Sequence, residues 1–148
     1  MLKLRNKGYT ALEVLLVLST VLVLISITIP LTNTTKEKQD IEHFFRVFEM
    51  DILYMQAVAV SKGPQLALFL YPDEHKYEIR KGPFFEPYVT REYSHAIDIS
   101  IGTFQNPFSF KRSGVPNKPG SFYVNIDNKR YRVTFPFGKG RFYVSQTK

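Results

Sequence analysis

KGYTALEVLLVLSTVLVLISITIP, residues 7–30, carries one charge beyond Lys7: Glu13, inside an otherwise apolar run. From Val14 to Leu31 the chain has 18 residues without a charge. A helix of that length spans about 27 Å at 1.5 Å per residue, close to a hydrocarbon core of about 30 Å. Lys3, Arg5 and Lys7 precede the run and favour a cytoplasmic amino terminus, with the bulk of the chain facing outward. A carboxylate in such a segment costs about 2.5–3.5 kcal/mol at the bilayer centre on insertion scales. Glu13 has no partner on its own segment, so it marks a functional position.

Three readings of this segment compete. A secretory signal would be cleaved after the apolar run, but the only small-residue pair there is Ser26-x-Thr28, followed by Ile29-Pro30. A plain signal anchor accounts for everything except Glu13. A cut between Gly8 and Tyr9 would remove the basic leader and keep the apolar helix, and Gly lets a protease approach its backbone closely.

Lys7-Gly8-Tyr9-Thr10-Ala11-Leu12-Glu13-Val14-Leu15 resembles the class III signal of type IV pilins and pseudopilins. That signal is a short basic leader ending in Gly, an aromatic residue, and an apolar helix with Glu at its fifth position. Tyr9 stands where Phe is more usual, and Pro30 where pilins commonly carry a helix-kinking proline. The resemblance implies that a membrane-embedded prepilin peptidase cuts after Gly8 and that the new Tyr9 amine is N-methylated. That amine, with a reference pKa of about 7.7–8.0, would pair in a filament with Glu13 of a neighbouring subunit. A buried charge with a partner is tolerable where the same charge alone is costly.

Beyond Pro30 the polar stretch Thr32–Asp40 opens the exposed part. Ile41, Phe44, Phe45, Phe48, Ile52, Met55 and Ala59 then recur at steps of three and four, the stripe of an amphipathic helix facing a core. Gly63-Pro64 predicts its stop, so one helix is expected from about Thr10 to Lys62, bent or loosened around Pro30. After Pro64 the period shortens. Strands are expected at Gln65–Tyr71, Lys76–Lys81, Tyr88–Tyr93, Ala96–Ile101, Phe108–Arg112, Phe122–Ile126, Tyr131–Phe135 and Arg141–Ser145. Asp127-Asn128-Lys129-Arg130 forms a hairpin turn in this reading. The expected fold is α+β: a long N-terminal helix, transmembrane in its first half and amphipathic in its second, packed against a mainly antiparallel sheet. Residues 1–8 are the expected leader, 9–31 the transmembrane and assembly helix, and 32–148 a pilin-like extracytoplasmic head.

Little in the chain suggests catalysis. It has no Cys, which excludes disulfides, Cys-ligated zinc, thiol catalysis and thioether lipid anchors. His43, His75 and His95 are scattered over helix, turn and loop, with no metal-ligand spacing. No Gly-x-Ser-x-Gly elbow or phosphate loop occurs. No enzyme activity, metal or cofactor is expected.

Charge is the remaining signal. The formal net charge is +7, and from Asn106 to Lys148 nine Lys and Arg stand against one acid, Asp127. Lys111, Arg112, Lys129, Arg130, Arg132, Lys139 and Arg141, with Lys118, interleave with Phe122, Tyr123, Tyr131 and Tyr143. Cations among aromatics suit phosphates and stacked bases; the same pattern also suits a solvated sheet face or a dock for an acidic subunit. These residues are therefore candidates for DNA or partner contact.

Phe108-x-Phe110-x-x-x-Gly114-x-Pro116, Val133-Thr134-Phe135 and Gly138-x-Gly140-Arg141-x-x-Val144 resemble the ComGD-type minor pseudopilins of Gram-positive competence systems. This resemblance implies a single-pass membrane protein that joins other major and minor pseudopilins in a surface filament and supports DNA uptake in transformation. Two alternatives stay open. One is a minor pilin of a type II secretion or adhesion filament. The other is a membrane-anchored binding module with a basic head that never polymerises.

Overall fold

The computed structural model describes residues 10–147, and of 27–37 only that they continue a helix. Helix α1 (Ala11–Lys62) starts where local chemistry can cap it. The Glu13 amide donates to the Thr10 carbonyl at 3.1 Å and reaches Thr10 Oγ1 at 3.3 Å, and Thr-x-x-Glu is the spacing of a capping box. The helix stops at Gly63, whose φ of 88° is a left-handed conformation that favours glycine. These bounds match the helix expected from the sequence. Pro30, with the kink expected of it, lies outside the residues described in side-chain detail.

The chain divides into two units, one ending at Lys38 and one beginning at Gln39. In the first, the apolar side chains Leu12, Val14–Leu18 and Val21–Ile25 apart from its polar positions are exposed. Ser19, Thr20 and Ser26 donate their hydroxyl protons to Leu16, Val17 and Leu22 carbonyls of the same helix at 2.8–2.9 Å, so these polar groups need no outside partner. Among the described residues no helix is long and apolar enough to cross a membrane. The uncharged run Val14–Leu31 continues into 27–31, beyond the side chains that are described.

The second unit contains the core. Ile41, Phe44, Phe48, Ile52, Met55 and Ala59 are buried and Phe45 is half-buried, as the spacing predicts. Eight strands follow: β1 (Ala67–Tyr71), β2 (Lys76–Arg80), β3 (Val89–Glu92), β4 (Ile97–Ser100), β5 (Phe108–Ser109), β6 (Gly120–Ile126), β7 (Lys129–Phe135) and β8 (Tyr143–Thr147). They form two sheets rather than one, in the orders β3-β2-β1-β5 and β4-β6-β7-β8, with every pair antiparallel. Alternation reveals that a segment is a strand but not which strand it pairs with. β4 follows β3 in the chain yet pairs with β6, Ile97 opposite Ile126. β5 returns to the first sheet with only two residues, and the Asn106 side chain extends that edge. Its amide donates to the Leu70 carbonyl at 2.8 Å and its oxygen accepts from the Leu70 amide at 3.0 Å.

Phe48 touches both sheets from the helix. The Phe48 ring lies 5.5 Å from Tyr77 on β2, 5.6 Å from Phe122 on β6 and 5.7 Å from Phe142. Gln56, two turns on, holds two loops. Its Nε2 donates to the Gly140 carbonyl at 2.8 Å and also to the Gly114 carbonyl. Gly140 must be glycine for this. A Cβ there would strike Gln56 Nε2 and lie 2.9 Å from the Gly114 oxygen. Gly140→Ala is expected to cost about 1–3 kcal/mol, the usual range for overpacking, read as a lower urea midpoint at unchanged slope.

Candidate functional site

The structure separates the basic residues that the sequence groups together. β7 begins at Lys129, so Lys129 and Arg130 are strand residues and the turn is Asp127–Asn128 alone. The reason is register: Ile126 pairs with Lys129, and Asp127 takes a φ of 51°, as Asp and Asn do most readily after Gly. Arg132 pairs with Tyr123 and Arg130 with Asn125 across the sheet. Their guanidinium carbons sit 4.0 Å (Arg130) and 5.5 Å (Arg132) from the Tyr123 ring centre, a cation–π arrangement within the chain.

The other cations lie elsewhere. Lys111 and Arg112 are on the loop before Gly114, and Lys139 and Arg141 flank Gly140, so the Gln56 hydrogen bonds bring these two pairs together. Along the helix they belong near Gln56, whereas β7 meets the helix near Phe45, whose ring is 5.6 Å from Tyr131. All seven are exposed. Of the aromatics interleaved with them, Phe122 is fully buried, Tyr131 packs on Phe45 and Tyr123 carries the two arginines. Tyr143 is 55% exposed, and Phe137, which the sequence did not single out, is 83% exposed.

Glu13 lies in the first turn of α1, exposed, with its amide capped by Thr10. Gly8 and Tyr9 lie outside the described residues.

Two further features were missed in the sequence. Asp51 is 7% exposed on the helix face that meets the first sheet. Its Oδ2 accepts the Tyr77 hydroxyl at 2.8 Å and Arg91 Nε at 3.0 Å, and Oδ1 accepts Arg91 Nη2 at 3.3 Å. Tyr77 and Arg91 are cross-strand neighbours, so one carboxylate ties the helix to two strands. Burial, then the Asp51 hydrogen bond, pushes the Tyr77 phenol well above its usual range. The Asp51 hydrogen bond likewise raises Arg91. Asp51 stands three residues after Phe48 and four before Met55, so the helical spacing alone put it on the buried face. The second feature is a histidine contact. His75 and His95, far apart in the chain, bring their rings within 4.5 Å. Among the described residues no group of three or more metal-ligating side chains forms.

No family model matches this chain. It is similar to the competence protein ComGD of Bacillus subtilis (strain 168), 24% identical over 136 residues, which span 92% of this chain and 91% of the relative. Its fold is similar to that of the minor pseudopilin EpsH from the type 2 secretion system of Vibrio cholerae. That match has a TM-score of 0.55 at 12% identity over 72% of this chain and 96% of EpsH. The two likenesses bear out the resemblance to a type IV pilin-like minor pseudopilin.

Two outcomes are expected of this site. Asp51→Ala leaves the buried Tyr77 hydroxyl without its acceptor and should cost about 1–3 kcal/mol, the penalty for an unsatisfied buried polar group, read by thermal or urea unfolding. Tyr93 behaves differently. Its hydroxyl is buried without a hydrogen-bond partner among the described residues. Its pKa is pushed up to about 12, mainly by burial and then by the charges of Asp98 and Asp73. The fold holds the neutral phenol, so this stability is fully present below the unfolded value of about 10 and is lost as pH rises toward 12. Tyr93→Phe should therefore leave the neutral-pH Tm unchanged or raised and weaken the loss of stability above pH ~10; the part that remains belongs to Tyr77.

Proposed function

We propose that this type IV pilin-like minor pseudopilin serves a competence apparatus and supports DNA uptake in transformation. The match to ComGD along nearly the full length of both chains is the observation that carries the reading. Processing falls to Gly8 and Tyr9, where a prepilin peptidase would cut and methylate. The uncharged helix Val14–Leu31 holds the subunit in the membrane before assembly, with a cytoplasmic amino terminus and an extracytoplasmic head, and enters the filament core afterwards. Pro30 lets it bend. Self-satisfied hydroxyls at Ser19, Thr20 and Ser26 suit that apolar setting, because lipid offers no hydrogen-bond partner.

Glu13 supplies the assembly step. Glu13 stands in the first turn of the helix, and its carboxylate would pair with the amine that cleavage creates at Tyr9 of a neighbouring subunit. The same carboxylate is unfavourable alone in lipid and favourable against a neighbour's amine, so it drives subunits to join and sets their axial register. The chain performs no catalytic step in this account. Its partners are other major and minor pseudopilins, the peptidase, the membrane, and DNA or a subunit at the basic residues.

The fold likeness to EpsH favours a second reading, a minor pilin of a secretion or adhesion filament with the same Glu13 chemistry. Two measurements test the proposal. Protein from membranes containing a prepilin peptidase should begin at Tyr9, and without the peptidase at Met1; a Met1 start in both leaves only an anchor. Glu13→Leu should abolish filament incorporation and transformation while membrane levels persist. Transformation that survives with Glu13→Leu would sink the assembly role, and filament loss with secretion rather than transformation impaired would select the second reading.

A further inference from the structure

Side chains alternate across a strand, so register assigns each cation to a face. On β2, Tyr77 reaches Asp51 on α1, which puts Lys76, Glu78 and Arg80 on the outer face of the first sheet. There the Arg80 guanidinium lies 5.0 Å from the Phe69 ring centre and 5.7 Å from that of Tyr71, and Lys76 Nζ lies 5.4 Å from Tyr71. Carboxylates close this group: Arg80 and Lys76 pair with Glu78, and Lys76 also with Glu74 at 2.6 Å. The second sheet repeats the stacking without the acids. Phe122 and Val124 on β6 are buried and Phe122 meets Phe48, so Tyr123 faces outward, in one row with Ser100, Arg132 and Ser145. Arg130 stands in the next row, with Asp98, Asn125 and Thr147. Arg130 and Arg132 are exposed and stack on Tyr123 at 4.0 and 5.5 Å. Among the described residues neither makes a salt bridge, and Asp98, out on β4, accepts from Asn125 Nδ2 at 3.0 Å.

We propose that the outer face of the second sheet binds DNA through its backbone, with Arg130 and Arg132 on phosphates and the bases unread. The two arginines stand two residues apart on one strand face, about 6.8 Å, and repel each other unless an anion joins them. Each guanidinium presents a planar fork that fits phosphate oxygens, and the Tyr123 ring fixes where the forks lie. The same stacking revises the expectation of cations for phosphates and rings for bases. Arg130 takes the Tyr123 ring face, Phe122 is buried and Tyr131 packs on Phe45, so these rings offer a base no platform. Contact through phosphates alone is blind to sequence and strongly dependent on salt. The inference rests on the competence reading, which supplies DNA as the source of phosphate.

The full-length chain, purified in zwitterionic detergent, is titrated with a fluorescent DNA single strand, an abasic strand of the same length and the corresponding duplex. All should bind, and the abasic strand as tightly as the ordinary one. Arg130→Gln with Arg132→Gln should weaken each several-fold at low salt and reduce the slope of log affinity against log salt by about 1 per arginine. Arg130→Lys with Arg132→Lys, which keeps the charge, should retain that slope. Exposed substitutions of this kind leave the unfolding midpoint near that of the parent, so binding lost with the fold is told apart. Binding unchanged by Arg130→Gln with Arg132→Gln, or lost only with Lys111→Gln and Arg112→Gln on the clamped loop, overturns the site. Tyr143 is on the same face and 55% exposed. Weaker binding of the abasic strand, levelled by Tyr143→Ala, would show bases stacking there and overturn the backbone-only contact. Tighter binding of poly-glutamate than of the abasic strand would assign the arginines to an acidic protein and overturn the choice of DNA. Deleting the chain from cells tests the competence reading separately: unimpaired transformation ends that reading, whereas failed binding by the purified chain ends only this site.

Discussion

Phe48 is the contact on which the second unit depends. It is fully buried on the apolar stripe of α1 and meets a ring from each sheet. The two sheets also meet directly, with the Phe108 ring of β5 4.4 Å from Phe135 of β7. Burying a side chain of this size contributes about 1.5–3 kcal/mol from transfer alone, and edge-to-face geometry adds to that. Around it Phe104, Phe108, Phe110 and Phe135 continue the ring cluster between the sheets.

Polar ties then set where the helix lies against each sheet. Asp51 accepts from Tyr77 and Arg91 and joins it to the first sheet. Gln56 donates to Gly114 and Gly140 and joins it to the loops that border the second. A buried carboxylate is tolerable here because two donors satisfy it. These ties also position charge. Gln56 collects Lys111, Arg112, Lys139 and Arg141, while the register of β6 and β7 stacks Arg130 and Arg132 on Tyr123.

The proposed assembly chemistry belongs to the other unit and uses different physics. In water Glu13 would be an ordinary first-turn carboxylate, favoured by the helix dipole. In lipid it becomes a charge that needs a partner. In the proposed filament a neighbour's Tyr9 amine would be that partner, so one side chain would separate the waiting state from the assembled one.

The sequence by itself determined the local structure. Apolar spacing from Ile41 to Ala59 located the buried helix face, Gly63-Pro64 its end, and alternation the strands, because period and breakers are properties of neighbouring residues. The stretch around Gly8, Tyr9 and Glu13 that resembles a class III signal is contiguous, so the resemblance too could be seen in the sequence. Tertiary structure alone decided that the strands split into two sheets, that Asp51 finds Tyr77 and Arg91, that His75 meets His95, and that seven cations part into two groups. Each of these joins residues distant in the chain, and strand partners and loop contacts are selected by the packing of all elements together, which no local pattern encodes.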